Sequence, residues 1–327
     1  MVRNMMKILI IRLSSLGDIV LTEPIIRTLA ELYPQAEISY LVKPAFKDIV
    51  SAFPTQVKTL DWNNDLSSLL QLSKVKYDIL IDLHNKPNTA LIRSFCRATI
   101  KSVYNKAHRL RKNIVAHTTS QSISSTLDLY YSALKKINIT PQSRYPQITA
   151  DDSANVQLKE NKLQNGNFIL IFPGATSFTK KWLPEYFIEL INRISPDFQV
   201  VLAGGKSESQ LSAQIIQQCN DQVIDLCART SIRQLISLIN KAKVVIANDS
   251  GPAHLAAALN KPQITIFGAT SPKLGFAPLN DKNVLITQNL SCSPCSLHGS
   301  DVCPLHHFNC MKTINPQIVY EELLKIL

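Results

Sequence analysis

No stretch of the 327-residue sequence reaches ~18 consecutive apolar residues, so no segment reads as a membrane-spanning helix. A secretory signal is missing too. The start, MVRNMMKILIIRLSS, has a basic beginning, but Arg12 cuts its apolar run short and nothing resembling a cleavage site follows. The expectation is a chain that stays in the cytoplasm, free or held peripherally at the inner face of the membrane. Reducing conditions there argue against structural disulfides among its seven cysteines. Neither GxGxxG nor GxxxxGK[ST] occurs, which removes support for a dinucleotide-dependent dehydrogenase and for a P-loop NTPase. There is no GxSxG elbow, and Asp249, Ser250 and His254 lie too close in sequence to form a hydrolase triad. Acidic residues are in deficit, 24 Asp and Glu against 35 Lys and Arg, a formal excess of +11. That balance suits an anionic partner, whether nucleic acid, acidic headgroups or phosphorylated sugars, without choosing among them. With no aromatic interleaving and no nucleic-acid motif, the charge alone does not support nucleic-acid binding.

What is present describes a globular protein: 45% hydrophobic and 18% charged residues in a chain long enough for two domains with their own cores. The most informative stretch is VVIANDSGPAHLAAALNKPQITIFGATSP, Val244 to Pro272. Val244 to Ala247 is an apolar run too short for a helix, which fits a strand buried on both faces of a parallel sheet. Asn248 to Pro252 then turns the chain. Asp249 or Ser250 suits the N-cap and Pro252 the first helical position, so Leu255, Ala258 and Leu259 begin a short helix before a second buried strand, Gln263 to Phe267. The loop therefore lies at the carboxyl end of its strand, where open α/β sheets bind ligands. Two readings stand: free N–H groups and the helix dipole hold an anion such as phosphate, or Asp249 and Ser250 merely cap the helix.

Taken in order, the chain opens with a strand at Lys7 to Leu13 and a loop, Ser14 to Asp18. A helix presents Ile19, Thr22, Ile25, Ile26, Leu29 and Leu32 on one face, and a strand follows at Glu37 to Val42, making a β-α-β unit. Asp18 sits at the helix entrance, where the dipole favours its ionised form; it is either a general base or an ordinary first-turn acid. Tyr77 to Leu83 is another buried strand, and it delivers His84 to the same sheet edge. The run KSVYNKAHRLRKN, 101–113, reads as a basic loop carrying Arg109 and Arg111, either a solvated surface or a contact for an anionic acceptor. The pattern weakens from Ser143 to Gly166, and the domain boundary is placed there, giving domains at 1–160 and 161–327. Strands at Phe168 to Phe172, Gln199 to Leu202 and Ile224 to Leu226, with helices at Pro184 to Ile194 and Ser231 to Asn240, restart the alternation. The expected architecture is α/β, two doubly wound domains facing one another across a cleft.

Four blocks fall in order along nearly the whole chain: LSSLGDIVLTEP, PGATSFTKKWLPEYF, LAGGKSE and NDSGPAHLAAALNKP. Their order and spacing resemble glycosyltransferase family 9, typified by the bacterial lipopolysaccharide heptosyltransferases. The resemblance implies a GT-B fold of two Rossmann-like domains, with the acceptor on the N-terminal one, the nucleotide-sugar on the C-terminal one, and a final helix, Pro316 to Leu327, that crosses back. It implies inverting transfer of heptose from ADP-heptose to the inner core of Kdo-bearing lipid A at the inner leaflet, with no catalytic metal. The family's base, the Asp of the LGD loop, maps to Asp18, and its phosphate-binding lysine, before the Trp of KxW, maps to Lys180. Donor positions map to Thr176, Ser177, Glu208, Thr230, Asp249, Ser250, Gly251 and His254. Ser15 and Gly17, with His84, Arg109 and Arg111, are expected on the acceptor side.

One segment stands apart: Cys292, Cys295, Cys303 and Cys310, opening with CxPC. In a reducing compartment that spacing reads as a structural thiolate site for zinc or iron, with His298, His306 and His307 as alternative ligands, or else as reduced cysteines in a loop. Some family members resemble this segment and others lack it, so transfer chemistry is not expected to depend on it. Cys96, Cys219 and Cys227 read as buried thiols. Two rival readings remain. A zinc-ribbon nucleic-acid binder would explain charge and cysteines but leave the strand-end loops without a purpose. A family 9 enzyme with another nucleotide-sugar or a protein acceptor would keep them.

Overall fold

The computed structural model describes residues 5–141, 143, 145–220 and 222–327; the first four residues, with part of the basic beginning, lie outside them. The chain forms two compact units, Met1–Ala107 with Thr126–Thr149, and His108–Ser125 with Ala150–Leu327.

The first unit is built on a five-stranded parallel sheet in the order β3-β2-β1-β4-β5. Its strands are β1 (Lys7–Ile11), β2 (Glu37–Val42), β3 (Lys58–Asp61), β4 (Lys76–Asp82) and β5 (Arg97–Val103). The strand order reverses direction between β1 and β4, so the loops that leave those two strands are neighbours, the position at which such sheets place ligands. Where one helix was expected after β1 there are two, Leu16–Val20 and Glu23–Leu32. Pro24 lies in the first turn of the second and cannot donate within a continuous helix. At the break, the Thr22 hydroxyl donates to the Ile19 carbonyl at 2.6 Å and lies 2.8 Å from the Tyr40 hydroxyl.

The second unit carries a six-stranded parallel sheet, β11-β10-β9-β6-β7-β8. These strands are β6 (Phe168–Phe172), β7 (Gln199–Leu202), β8 (Ile224–Asp225), β9 (Val244–Asn248), β10 (Gln263–Phe267) and β11 (Asn283–Thr287). β6, β9 and β10 are buried along their whole length, which is why β6 is apolar throughout and β9 is apolar up to Asn248; in β10 the buried Gln263 and Thr265 are hydrogen-bonded. The order reverses between β6 and β9, so the loops after those strands adjoin. Trp182, Phe187, Leu190 and Met311 fill the core on one side of this sheet.

Three segments take these places in the two units. The basic run is not a loop: it ends β5 and then forms a helix, His108–Val115, that belongs to the second unit. There Ile123 donates to the Lys273 carbonyl at 2.9 Å and pairs with Leu274. The second unit takes up the chain again at Ala150, so the helix Asn155–Glu160 falls within it. The final helix, Pro316–Ile326, also lies in the second unit, with Val319 and Leu323 in its core.

Asn248 ties the second switch point together. Fully buried, it accepts from the Trp182 N–H at 3.1 Å and donates to the Pro173 and Gly174 carbonyls at 2.8 and 3.3 Å. Removing it orphans buried backbone groups, each costing about 1–3 kcal/mol. Asn248→Ala is therefore expected to destabilise the second unit by about 3 kcal/mol. Denaturant unfolding followed by Trp182 fluorescence in a Trp62→Phe background checks this; a loss under about 0.5 kcal/mol would show that the bridge matters little.

Candidate active site

Each unit gathers charged and polar side chains at its switch point. In the first, Arg12 leaves the end of β1 and is buried. Its Nε donates to the Ser14 carbonyl and its Nη1 to the Leu83 carbonyl, both at 2.6 Å, while its Nη2 meets Asp18 Oδ2 at 2.5 Å. The guanidinium thus joins the loop after β1 to the loop after β4. Asp18 also accepts from the Ser15 hydroxyl at 2.7 Å and from the Tyr130 hydroxyl at 3.1 Å. Gly17 lies buried in the same turn. Burial would raise the Asp18 pKa, but Arg12, with Ser15 and Tyr130, overrides it and holds the carboxyl down at about 2. Desolvation likewise disfavours the Arg12 charge, and Asp18 reverses that, raising the Arg12 pKa.

His84 follows β4 and is buried, its loop fixed by Asp82, which accepts from the His84 and Asn85 N–H groups at 2.8 Å and pairs with Arg93. Burial first, and then the positive charges of Arg12 and Lys86, push the His84 pKa down to about 4, so its imidazole is neutral at pH 7. Its Nδ1 has no hydrogen-bond partner among the described residues. A neutral imidazole can exchange hydrogen bonds with a sugar hydroxyl; it is not a cation for an anionic acceptor.

In the second unit, Lys180 Nζ meets Asp249 Oδ2 at 2.9 Å, and the Thr270 hydroxyl donates to the same oxygen at 2.6 Å. The helix Gly251–Ala258 begins beside them. Neither acidic nor hydroxyl side chain caps it: Asp249 is committed to Lys180 and Thr270, and the buried Ser250 Oγ has no partner among the described residues. The first N–H groups of that helix are left to an outside acceptor. His254 is half-buried in its first turn. Glu208 lies across the loop after β6, because a Cβ on Gly174 would fall 2.2 Å from Glu208 Cγ; it accepts from the Gly205 N–H at 2.8 Å and the Ser207 hydroxyl at 2.6 Å. Thr176 is exposed, Ser177 donates to the His298 carbonyl at 3.2 Å, and Thr230 is half-exposed just ahead of the helix Ile232–Lys241.

The two arginines of the basic run part company. Arg109 is exposed, whereas Arg111 is buried in the second unit, donating to the Leu274 carbonyl at 3.3 Å with its guanidinium 4.8 Å from the Phe276 ring centre. Arg111 is thus held by contacts within the second unit. Cys96 and Cys227 are buried as expected, but Cys219 is only partly so. In the cysteine-rich segment, burial is outweighed by the backbone N–H groups of residues 305–308, which lower the Cys303 pKa, whereas burial pushes the Cys310 thiol up to about 12. Among the described residues, however, no three His, Cys, Asp or Glu side chains are gathered to hold an ion. The Cys292, Cys295 and Cys303 sulfurs are nonetheless close enough to Cys310 to help raise its pKa, and Cys292 Sγ lies 3.9 Å from His307 Nε2.

The sequence profile of glycosyltransferase family 9 (heptosyltransferase) matches residues 67–306. The chain belongs to glycosyltransferase family 9. It is a glycosyltransferase, and its two-sheet α/β architecture is the GT-B fold. Lipooligosaccharide heptosyltransferase 2 of Campylobacter jejuni is 27% identical over 338 residues, covering 98% of each chain. Among solved structures, a family 9 glycosyltransferase from Veillonella parvula has a TM-score of 0.81 at 17% identity, covering 98% of this chain and 97% of its own. The E. coli ADP-heptose LPS heptosyltransferase II has a TM-score of 0.78 at 24% identity, covering 98% of each. Among the described residues no helix is long and apolar enough to cross a membrane.

Sequence reasoning missed Arg12, Tyr130 and Thr270 as parts of these sites. Arg12 had a visible signal, a cation interrupting the buried run KILII; Tyr130 and Thr270 had none, since each arrives from a distant element. The Asp18 carboxyl, depressed in the folded protein, favours folding above its ordinary pKa, and that contribution is lost as pH falls towards about 2. In Arg12→Met the counter-charge is gone while much of the burial remains, so the Asp18 pKa should rise above about 4. Titration of 13Cγ-labelled aspartate by NMR reads this out; an Asp18 resonance still titrating near the wild-type value would show that Arg12 does not control it.

Proposed function

We propose that this enzyme moves a heptose, with inversion, from ADP-heptose to a hydroxyl of the lipopolysaccharide inner core. The observation that carries the reading is the pairing of chemistries at the two switch points: a carboxylate held ionised by a buried arginine, and a lysine beside an uncapped helix N-terminus. The names of the Campylobacter and E. coli relatives, which match end to end, point to the same donor and acceptor classes. The formal excess of +11 suits a phosphorylated acceptor at the inner leaflet, with peripheral membrane contact.

In the reaction, the acceptor oxygen bonds to the anomeric carbon as the bond from that carbon to the diphosphate oxygen breaks. Asp18 receives the proton of the attacking hydroxyl, and ADP leaves with the bonding pair. With a pKa near about 2, Asp18 is a weak base, and it takes the proton late, once bond formation has made the attacking oxygen strongly acidic. Lys180 and the N–H groups at Ser250 and Gly251 stabilise the charge that develops on the diphosphate. Asp249 takes one donor direction of the Lys180 ammonium, which has three N–H groups, and fixes its position. Ser15, Gly17 and His84 line the acceptor side in this reading, with Arg109 at the surface. Thr176, Ser177, Glu208, Thr230 and His254 line the donor side.

Asp18→Ala should lower transfer by about 10²–10⁴-fold while ADP affinity stays near wild type. Calorimetric titration with ADP, UDP, GDP and ADP-heptose, beside a transfer assay, tests both halves. Preference for UDP or GDP would move the enzyme to another nucleotide-sugar, and wild-type turnover in Asp18→Ala would remove the base.

A further inference from the structure

The cysteine-rich segment does not stand apart from the donor site. Residues 298–300 run alongside the turn Ser177 to Lys180 and are bonded to it at several points. Ser177 Oγ donates to the His298 carbonyl at 3.2 Å. The Thr179 N–H and hydroxyl both donate to the Ser300 carbonyl at 3.0 Å, and the Ser300 N–H returns a bond to Thr179 Oγ1 at 2.8 Å. Phe178 stacks on Phe308 with ring centres 5.1 Å apart. From the other direction, Ala269 donates to the Thr179 carbonyl at 3.2 Å and accepts from the Cys295 N–H at 3.1 Å. Thr179 is buried, so its bonds to Ser300 are partly sheltered from water, whereas the Ser177–His298 bond is exposed.

Gly299 makes the closest approach. Its φ of +84° is one that side-chain-bearing residues seldom adopt, and a Cβ there would fall 2.8 Å from both Lys180 Cγ and Ser177 Cβ. The lysine stem therefore lies directly on the glycine backbone, and its ammonium goes on to Asp249. A long, flexible side chain that must hold a diphosphate loses less entropy on binding if its stem is already fixed.

We propose that His298, Gly299 and Ser300 are positioning residues for Lys180, and that the cysteine-rich segment is the arm that carries them. The proposal rests on the reading of Lys180 as the cation that holds the donor diphosphate. It runs against the expectation that donor chemistry is independent of this segment.

Calorimetric titration of the full chain with ADP tests it. Gly299→Ala is expected to weaken ADP binding roughly tenfold by displacing the lysine stem. In a Lys180→Met background the same change should have no further effect, since there is no ammonium left to misplace. Should Gly299→Ala fail to fold, Thr179→Val, which removes the hydroxyl bonded to Ser300, should weaken ADP binding, and Thr179→Ser should restore it. Gly299→Ala and Thr179→Val binding as wild type, with Lys180→Met impaired, would overturn the positioning role alone. Equal losses with and without the lysine would overturn it too, because they would show general loosening. Lys180→Met binding as wild type, or wild type binding no ADP, would overturn both the lysine reading and this proposal.

Discussion

A charge taken out of water at the end of a hydrophobic strand has to be matched, and both units are organised around that requirement. Arg12 follows a strand whose last four residues are buried, and Asp249 follows one that is buried throughout. Leaving either charge alone would cost several kcal/mol, so each is tied to an opposite charge and to further hydrogen bonds. The partners come from neighbouring loops because the strand order reverses where these strands lie. Arg12 gathers the loops after β1 and β4; Asn248 and Asp249 gather those after β6 and β9. The pairs therefore fix loop geometry whether or not a substrate is present, which is the preorganisation that transition-state stabilisation requires.

The same pairing sets the kind of base that Asp18 can be. Partial burial alone would push the carboxyl's pKa up; the arginine, with Ser15 and Tyr130, holds it down and keeps it ionised, but at the expense of basicity. Such a group suits a displacement at an anomeric carbon, where the nucleophile's proton becomes acidic only as the new bond forms. It would suit poorly a reaction that begins by removing a proton from a neutral hydroxyl. His84, which is neutral, adds hydrogen-bonding capacity at that edge without adding charge.

Much of this was legible in the residues. Buried strands are written as short, mostly apolar runs, and Glu37–Val42, Phe168–Phe172, Gln199–Leu202 and Gln263–Phe267 were read with their observed boundaries. The outer strands β3, β5 and β11 were not, because KTLD, RATIKSV and NVLIT are partly exposed and mix polar with apolar positions. The loops at the two switch points were visible from their strand-end addresses. Their internal wiring was not, because Asp18 with Tyr130 and Asp249 with Thr270 are joined across 112 and 21 residues. Arg111 shows the opposite failure: charge in a basic run suggested surface, whereas an aromatic ring and a carbonyl from a distant loop bury it.

The cysteine-rich segment has a second part to its structure besides its sulfurs. Its cysteines point to metal binding, while the residues that touch the turn Ser177 to Lys180 are the ones between the sulfurs, and their contacts run largely through backbone atoms. Backbone contacts leave little trace in side-chain identity; Gly299 is the exception, since only a residue without a Cβ lets the lysine stem lie where it does. An arm of this kind can vary widely in sequence while its mechanical role is kept, provided that the glycine and the path of the chain are kept. By the same logic, a relative without the segment must hold its lysine by other means, and the place to look for them is the face of the lysine turn that Gly299 covers here.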